Sequence, residues 1–152
     1  MTEKKAVPEG YQSVQPYLML KNCTQAIAFY TNAFGAKEKM RIANPDGTIG
    51  HAEIQIGDSV IMMADEAPQI EAWSVEHFGG SPISLLIYTA DCDAAYGQAL
   101  AAGAKSLREP ADQPYGDRMS GVQDPFGYKW WIATNIKEAA PLGASERGSA
   151  GL

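Results

Sequence analysis

The two halves of this chain repeat one another, and that repeat limits the folds that the sequence can adopt. Asn22-Cys23 recurs as Asp91-Cys92 at a spacing of 69 residues, and Gly35-Ala36 recurs as Gly103-Ala104 at a spacing of 68. Between these matches each half carries apolar residues at the spacing of three and four that is typical of a helix. A constant offset over such features indicates an internal repeat, although short matches also arise by coincidence.

Each half is predicted to contain one strand, one helix and three further strands. Asn22 caps the first helix and Gly35 ends it, while Asp91 and Gly103 do the same for the second. The predicted strands are 13–20, 38–42, 50–56 and 59–64 in the first half, and 83–89, 105–108, 116–122 and 129–134 in the second.

The domain organisation follows from the repeat. We predict a first βαβββ module at 11–66, a linker at 67–81 and a second βαβββ module at 82–136. Residues 70–78 of the linker are predicted to form a short helix. The N-terminus, 1–10, and the tail, 137–152, are expected to be disordered or flexible because their composition cannot bury much surface.

Composition restricts the possible partners. The chain has 12 Lys and Arg against 18 Asp and Glu, a net charge of −6 that argues against nucleic acid and permits a cationic ligand. No apolar run reaches the length of a membrane span, and no signal peptide is recognisable at the start. Cys23 and Cys92 follow helix caps, but their apolar neighbours favour reduced structural thiols, so we expect a cytoplasmic protein.

The strand faces indicate where a site lies. On strand 50–56, Ala52 and Ile54 share one face, while His51 and Glu53 share the other. A mixed face of aromatic, Met and polar residues on several strands is typical of a small-molecule pocket. A half-solvated sheet face and a dimer interface remain alternatives.

Two groups are candidates for chemistry. His51 and Glu53 stand at i and i+2 on one face, where they can act as acid and base or form a polar pair on a pocket wall. Arg118 enters a strand from a loop and can bind a carboxylate or phosphate. The alternative for Arg118 is a structural pair with Asp117.

The motifs HAEIQIGDS, PYGDRM and DPFG, in this order, carry a resemblance. Over about residues 7–137 the chain resembles the vicinal oxygen chelate superfamily, which includes glyoxalases, bleomycin-resistance proteins and dioxygenases, and within it the PhnB-like branch. The resemblance implies an α+β fold with two βαβββ modules, whose curved mixed sheets form a cavity, and a homodimer.

The resemblance also implies four metal-ligand positions, one on the first and one on the last strand of each module. They fall on Gln15, Met62, Ser84 and Trp131. A glutamine oxygen is only a fair ligand, and an indole cannot bind the ion, so we expect no metal and no cofactor. Trp131 is expected to face the cavity and Trp130 the core. The alternative is that the cavity is filled by side chains.

We therefore hypothesise a homodimeric protein that binds a small molecule, without a metal, in a cleft between sheets. The alternative is a lyase, isomerase or dioxygenase-type enzyme that uses His51 and Glu53, with or without a divalent ion. A structural dimer with a filled cavity is the third possibility. The cleft residues expected are Gln15, Tyr17, His51, Glu53, Met62, Ser84, Arg118 and Trp131.

Overall fold

The structure, a computed structural model, describes residues 4–137. The chain divides into two compact units, of which the first ends at Gly79 and the second begins at Gly80. The boundary falls inside the predicted linker. Most of the predicted tail, 138–152, lies outside the described residues, as do residues 1–3 of the predicted disordered N-terminus.

The first unit is one helix and one sheet followed by two short helical turns. Its elements are β1 (Tyr17–Leu20), α1 (Cys23–Phe34), β2 (Lys37–Ala43), β3 (Ile49–Ile56) and β4 (Ser59–Asp65), then a 3-10 turn (Pro68–Ile70) and α2 (Val75–Phe78). The strands lie in the order β1-β4-β3-β2. Strand β1 is parallel to β4, and the other neighbours are antiparallel, so the sheet is mixed.

The second unit repeats this arrangement. Its elements are β5 (Ser84–Tyr88), α3 (Cys92–Ala102), β6 (Lys105–Asp112), β7 (Asp117–Gln123) and β8 (Lys129–Asn135), and its sheet has the order β5-β8-β7-β6. Tyr17 pairs with Met62 in the first sheet, and Leu86 pairs with Trp131 in the second. Each residue of the second pair lies 69 residues after its counterpart in the first pair, so the two sheets repeat the same register. The predicted α+β fold of two βαβββ modules is confirmed.

The helices begin and end where the sequence places them. The Asn22 side chain accepts the backbone N–H of Gln25 at 3.1 Å, and Asp91 accepts that of Ala94 at 3.1 Å. Gly35 ends α1 with a φ of 67°, a conformation that glycine adopts without steric cost. One face of α1 is buried, and Ala52 and Ile54 of β3 lie beneath it.

Two predicted strand ends are wrong by four residues each. The first strand starts at Tyr17 rather than at 13, because Pro16 lacks an N–H and the Gln15 side chain closes a turn onto the Gln12 backbone; Val14 is consequently 81% exposed. Strand β6 runs to Asp112 rather than to 108, since bulges at Arg108 let the pairing continue.

The linker also differs from the prediction. The expected helix over 70–78 is replaced by the 3-10 turn and α2, which are separated by Glu71 at a φ of 57°. A left-handed residue interrupts a helix, and sequence spacing does not reveal it. Within the described residues, no helix is long and apolar enough to cross a membrane.

Candidate functional site

Each sheet has one face against its helix and one face without a helix, which we call the helix-free face. In the first unit, paired residues of four neighbouring strands form a row across this face: Tyr17, Met62, Glu53 and Met40. His51 stands two residues before Glu53 on β3 and therefore shares the face. The strand geometry thus places His51 and Glu53 together, as the alternation of the sequence predicted.

These polar side chains form a continuous hydrogen-bonded chain. The Tyr17 hydroxyl lies 2.7 Å from Nδ1 of His51, and Nε2 of His51 lies 2.8 Å from Oε2 of Glu53. Tyr11 donates its hydroxyl to the other carboxylate oxygen of Glu53. An imidazole that donates from Nε2 to the carboxylate leaves Nδ1 to accept the Tyr17 proton, so one neutral tautomer satisfies both contacts.

The electrostatics keep Glu53 ionised. Burial raises the pKa of Glu53, which is only 5% exposed, but the hydrogen bonds from Tyr11 and His51 and the nearby Lys39 charge outweigh burial and lower it overall. Burial raises the pKa of Tyr17, so its phenol stays protonated at neutral pH. Lys39 lies 4.2 Å from the centre of the Tyr11 ring.

Tyr11 is a site residue that the sequence reasoning missed. It lies before β1, at the start of the predicted first module but outside its predicted strands, and 42 residues from its partner Glu53. Strand periodicity says nothing about such a residue. A tyrosine next to the first predicted strand was the only available signal.

Trp131 dominates the helix-free face of the second unit. The row across this sheet consists of Arg108, Gly121, Trp131 and Leu86. The indole lies across Gly121, where an added Cβ would come within 2.3 Å of the ring, and its N–H donates to Ser84 at 3.0 Å. Arg108, which the sequence reasoning also missed, holds its guanidinium carbon 6.0 Å from the ring centre.

A second polar cluster lies on the same face. Asp117 is buried and accepts hydrogen bonds from Tyr88 at 2.9 Å and from Asn135 at 3.2 Å. The hydrogen bond to Asp117 is the main reason why the pKa of Tyr88 is raised. The two neutral donors satisfy the hydrogen-bonding capacity of the buried Asp117 carboxylate, so the role of this cluster is structural.

Arg118 points to the opposite face of β7. Its guanidinium binds Asp93 of α3 at 2.9 Å and Asp112 of β6 at 3.0 Å, and these hydrogen bonds raise its pKa. Neighbouring strand residues face opposite ways, so Arg118 does not pair with Asp117. Its predicted contact with a ligand remains a prediction, and the observed partners tie α3 to β6.

The cysteines and the DPFG motif have structural environments. Burial raises the pKa of Cys23 to about 12, and burial is also the main cause of the raised pKa of Cys92. Asp124 accepts the backbone N–H groups of Phe126 and Tyr128 and the indole N–H of Trp130, each at 2.9 Å. Trp130 is buried and Trp131 is half-buried, so the predicted core position of Trp130 is confirmed.

The four positions that would ligate a metal do not fit one. The Gln15 oxygen already accepts the Gln12 N–H at 2.6 Å, and the Ser84 hydroxyl accepts the Trp131 indole N–H. Met62 offers a thioether, a soft ligand that suits neither a catalytic Zn²⁺ nor a hard divalent ion. In the part of the chain that the structure describes, no three His, Cys, Asp or Glu side chains cluster as a metal site.

Comparison with known proteins identifies relatives of this chain. The family described as the Glyoxalase/Bleomycin resistance protein/Dioxygenase superfamily matches residues 14–132. An uncharacterised protein of Mycobacterium bovis is 34% identical over 129 residues, which cover 83% of this chain and 85% of that protein.

Solved structures share the fold. An Arabidopsis thaliana gene product is similar with a TM-score of 0.65 and 25% identity, covering 81% of this chain and 98% of its own. A Bacillus cereus protein described as PhnB has a TM-score of 0.62 at 18% identity, covering 81% of this chain and 99% of its own. The second likeness is one of fold alone.

Proposed function

The chain belongs to the Glyoxalase/Bleomycin resistance protein/Dioxygenase superfamily, and from this premise we propose that it binds a small molecule on its helix-free sheet faces without a metal ion. We also propose that it belongs to the PhnB-like branch. The order of the motifs HAEIQIGDS, PYGDRM and DPFG supports this placement.

One observation carries the proposal. The positions at which superfamily enzymes hold a metal are occupied by Gln15, Met62, Ser84 and Trp131, yet the same faces present aromatic and Met side chains around a few ordered polar groups. Such a surface is typical of ligand sites, where apolar residues supply area and a few polar groups fix orientation. Tyr17 supplies aromatic surface on the face of the first unit, and Trp131 supplies it on the face of the second.

The chain of Tyr17, His51 and Glu53 would orient a ligand bound on the face of the first unit. Tyr17 is 48% exposed, so its hydroxyl oxygen keeps a free lone pair for a ligand donor while its proton goes to His51. Glu53 and Tyr11 hold the imidazole from the other side. A preorganised group of this kind binds a ligand without first losing its own rotational freedom.

A thermal-shift screen tests the proposal. We expect aromatic compounds to raise the melting temperature of the wild-type protein, and to raise it less in a Trp131→Leu variant. Glu109→Gln, which changes an exposed residue of β6, serves as the control. If no compound in a broad aromatic screen raises the melting temperature, the binding proposal is wrong.

Metal analysis tests the absence of an ion. We expect protein purified without chelator to carry no stoichiometric divalent metal, and EDTA to leave its melting temperature unchanged. A stoichiometric ion that is lost in a His51→Ala variant would contradict the metal-free site.

A second candidate function is an enzyme that uses His51 as an acid and base. The observation in its favour is that His51 lies between a carboxylate and an exposed phenol, so it can accept a proton while Glu53 stabilises the resulting charge. Compounds from the screen can be incubated with the protein and followed by mass spectrometry. Turnover that disappears in a His51→Gln variant, while binding persists, would favour the enzyme.

We further propose that the protein is a cytoplasmic homodimer. Two free, buried cysteines are compatible with a reducing compartment, and homodimers are what the family resemblance implies.

A further inference from the structure

We propose that the ligand is an aromatic anion, whose ring packs against Trp131 and whose carboxylate or similar group binds Arg108. This inference rests on the proposed binding function and names the chemical class of the ligand. It uses side chains of the second unit only.

Trp131 is held in one orientation by two contacts. Its ring lies against Gly121, where a Cβ would approach Cζ3 at 2.3 Å and Cε3 at 2.6 Å. The hydrogen bond to Ser84 at 3.0 Å fixes the rotation of the indole. The side chain is half-buried, so part of the indole stays accessible to an aromatic partner.

Arg108 places a cation over the Trp131 ring. It is exposed, and among residues 4–137 no carboxylate lies within ion-pair distance of it. Arg41 and Arg118, by contrast, are paired with acidic side chains. A guanidinium that lies over an indole at 6.0 Å from its centre can still bind a carboxylate with two parallel hydrogen bonds.

The first unit lacks the same pair of groups. In the two registers, Met40 stands where Arg108 stands and Glu53 stands where Gly121 stands. The row of the first unit therefore carries the negative charge of Glu53 beside the Met40 thioether. The row of the second unit carries the positive charge of Arg108 near the Trp131 indole. An anion is favoured by the second unit and disfavoured by the first.

The net charge of −6 does not oppose this assignment. Exposed charges more than about 10 Å apart are largely screened at 0.1 M salt. The group in direct contact with the ligand decides its preferred charge, and here that group is Arg108. The cationic ligand that the overall charge permits is not favoured by this row.

Calorimetry with matched aryl compounds tests the assignment. The probes are carboxylate and carboxamide pairs of equal shape: benzoate with benzamide, naphthoate with naphthamide, and the corresponding anthracene pair. We expect the carboxylate of at least one pair to bind the wild type about tenfold tighter than its amide. Arg108→Gln should remove that preference, Arg108→Lys should retain part of it, and Lys105→Gln, on the same exposed strand, should leave it unchanged.

The result separates this inference from the proposed function. Amides that bind as tightly as carboxylates in every pair, or a preference that persists in Arg108→Gln, would overturn the anion assignment while leaving the binding function intact. If neither these probes nor any compound in the broad screen binds, both the assignment and the binding function are wrong.

Discussion

Glu53 shows how single residues shape this protein. It is a buried carboxylate on the helix-free face, where an apolar residue would be easier to accommodate, and it is satisfied by donors from Tyr11 and His51. Period-two alternation was sufficient to place His51 beside Glu53, because that relation is local. Tyr11 could not be found in this way, since its contact depends on how the chain before β1 folds back.

Replacing this carboxylate by an amide should destabilise the protein. Glu53→Gln keeps the shape but loses two charge-assisted hydrogen bonds, so we expect a loss of about 1–3 kcal/mol in the free energy of unfolding at pH 7. A carboxyl whose folded pKa is lowered stabilises the protein above its unfolded pKa and loses that contribution as the pH falls through the folded pKa. Urea denaturation should therefore show a difference in the free energy of unfolding between the wild type and Glu53→Gln. This difference should be complete at pH 7 and should shrink below pH 4.5, the ordinary pKa of the group.

The control is Glu109→Gln, which removes an exposed carboxylate of β6. It should change the free energy of unfolding by less than about 0.5 kcal/mol. Equal effects of the two variants, or a Glu53→Gln effect that does not shrink in acid, would contradict the role assigned to Glu53.

The thiols should react slowly in the folded protein. Burial raises the pKa of Cys23 to about 12 and also raises that of Cys92, so the thiolate is scarce at pH 8 and both sulfurs are shielded. Iodoacetamide labelling followed by intact mass should show almost no modification before denaturation and two additions after it. Rapid labelling of the native protein at either position would contradict this.

At the scale of elements, the sequence predicts what local chemistry controls. The ends of the two long helices are set by contacts within a few residues, made by Asn22, Gly35 and Asp91. The predicted ends of α1 and α3 are confirmed. The ends of β1 and β6 depend on pairing with distant strands, which spacing does not reveal. The position of the Trp131 ring was equally hidden, because it requires Gly121 on the neighbouring strand.

The same substitution at two glycines should have opposite effects. Gly121→Ala places a methyl group on the Trp131 ring and should destabilise the protein by about 1–3 kcal/mol. Gly97→Ala, in the exposed middle of α3 with nothing within 4 Å of the new Cβ, should stabilise it by about 0.5–1 kcal/mol. Thermal unfolding measures both, and a change in tryptophan fluorescence is expected for Gly121→Ala alone. Destabilisation by both variants to the same extent would show that the packing under Trp131 is not special.

At the scale of the whole molecule, two units of one fold carry different chemistry. The registers match over the repeat, yet the row with Glu53 in the first unit is the row with Gly121 and Trp131 in the second. The repeat was predictable because caps and turn residues recur at a fixed offset. The different chemistry of the two units was not predictable, because it depends on which side chains share a row across strands that are distant in sequence.

The helix-free faces also leave apolar side chains uncovered in the single chain. The exposed fractions are 64% for Tyr88, 52% for Ile42, 48% for Tyr17 and 38% for Leu86. Tyr17 and Ile42 lie on the face of the first unit, and Leu86 and Tyr88 lie on that of the second. Large apolar residues exposed on a sheet face are typical of an interface. A second copy of the chain would cover part of this surface, as the proposed homodimer requires.

Light scattering during size-exclusion chromatography should therefore give a mass about twice the 16.3 kDa of the chain. The melting temperature should rise with protein concentration, because association stabilises the folded state by mass action. The net charge of −6 gives the reason to measure at two salt concentrations: like charges on two copies repel, so the dimer should be tighter at high salt, whereas apolar contacts persist. A mass equal to one chain at every concentration, with an invariant melting temperature, would show that these faces are covered by a ligand alone or remain open.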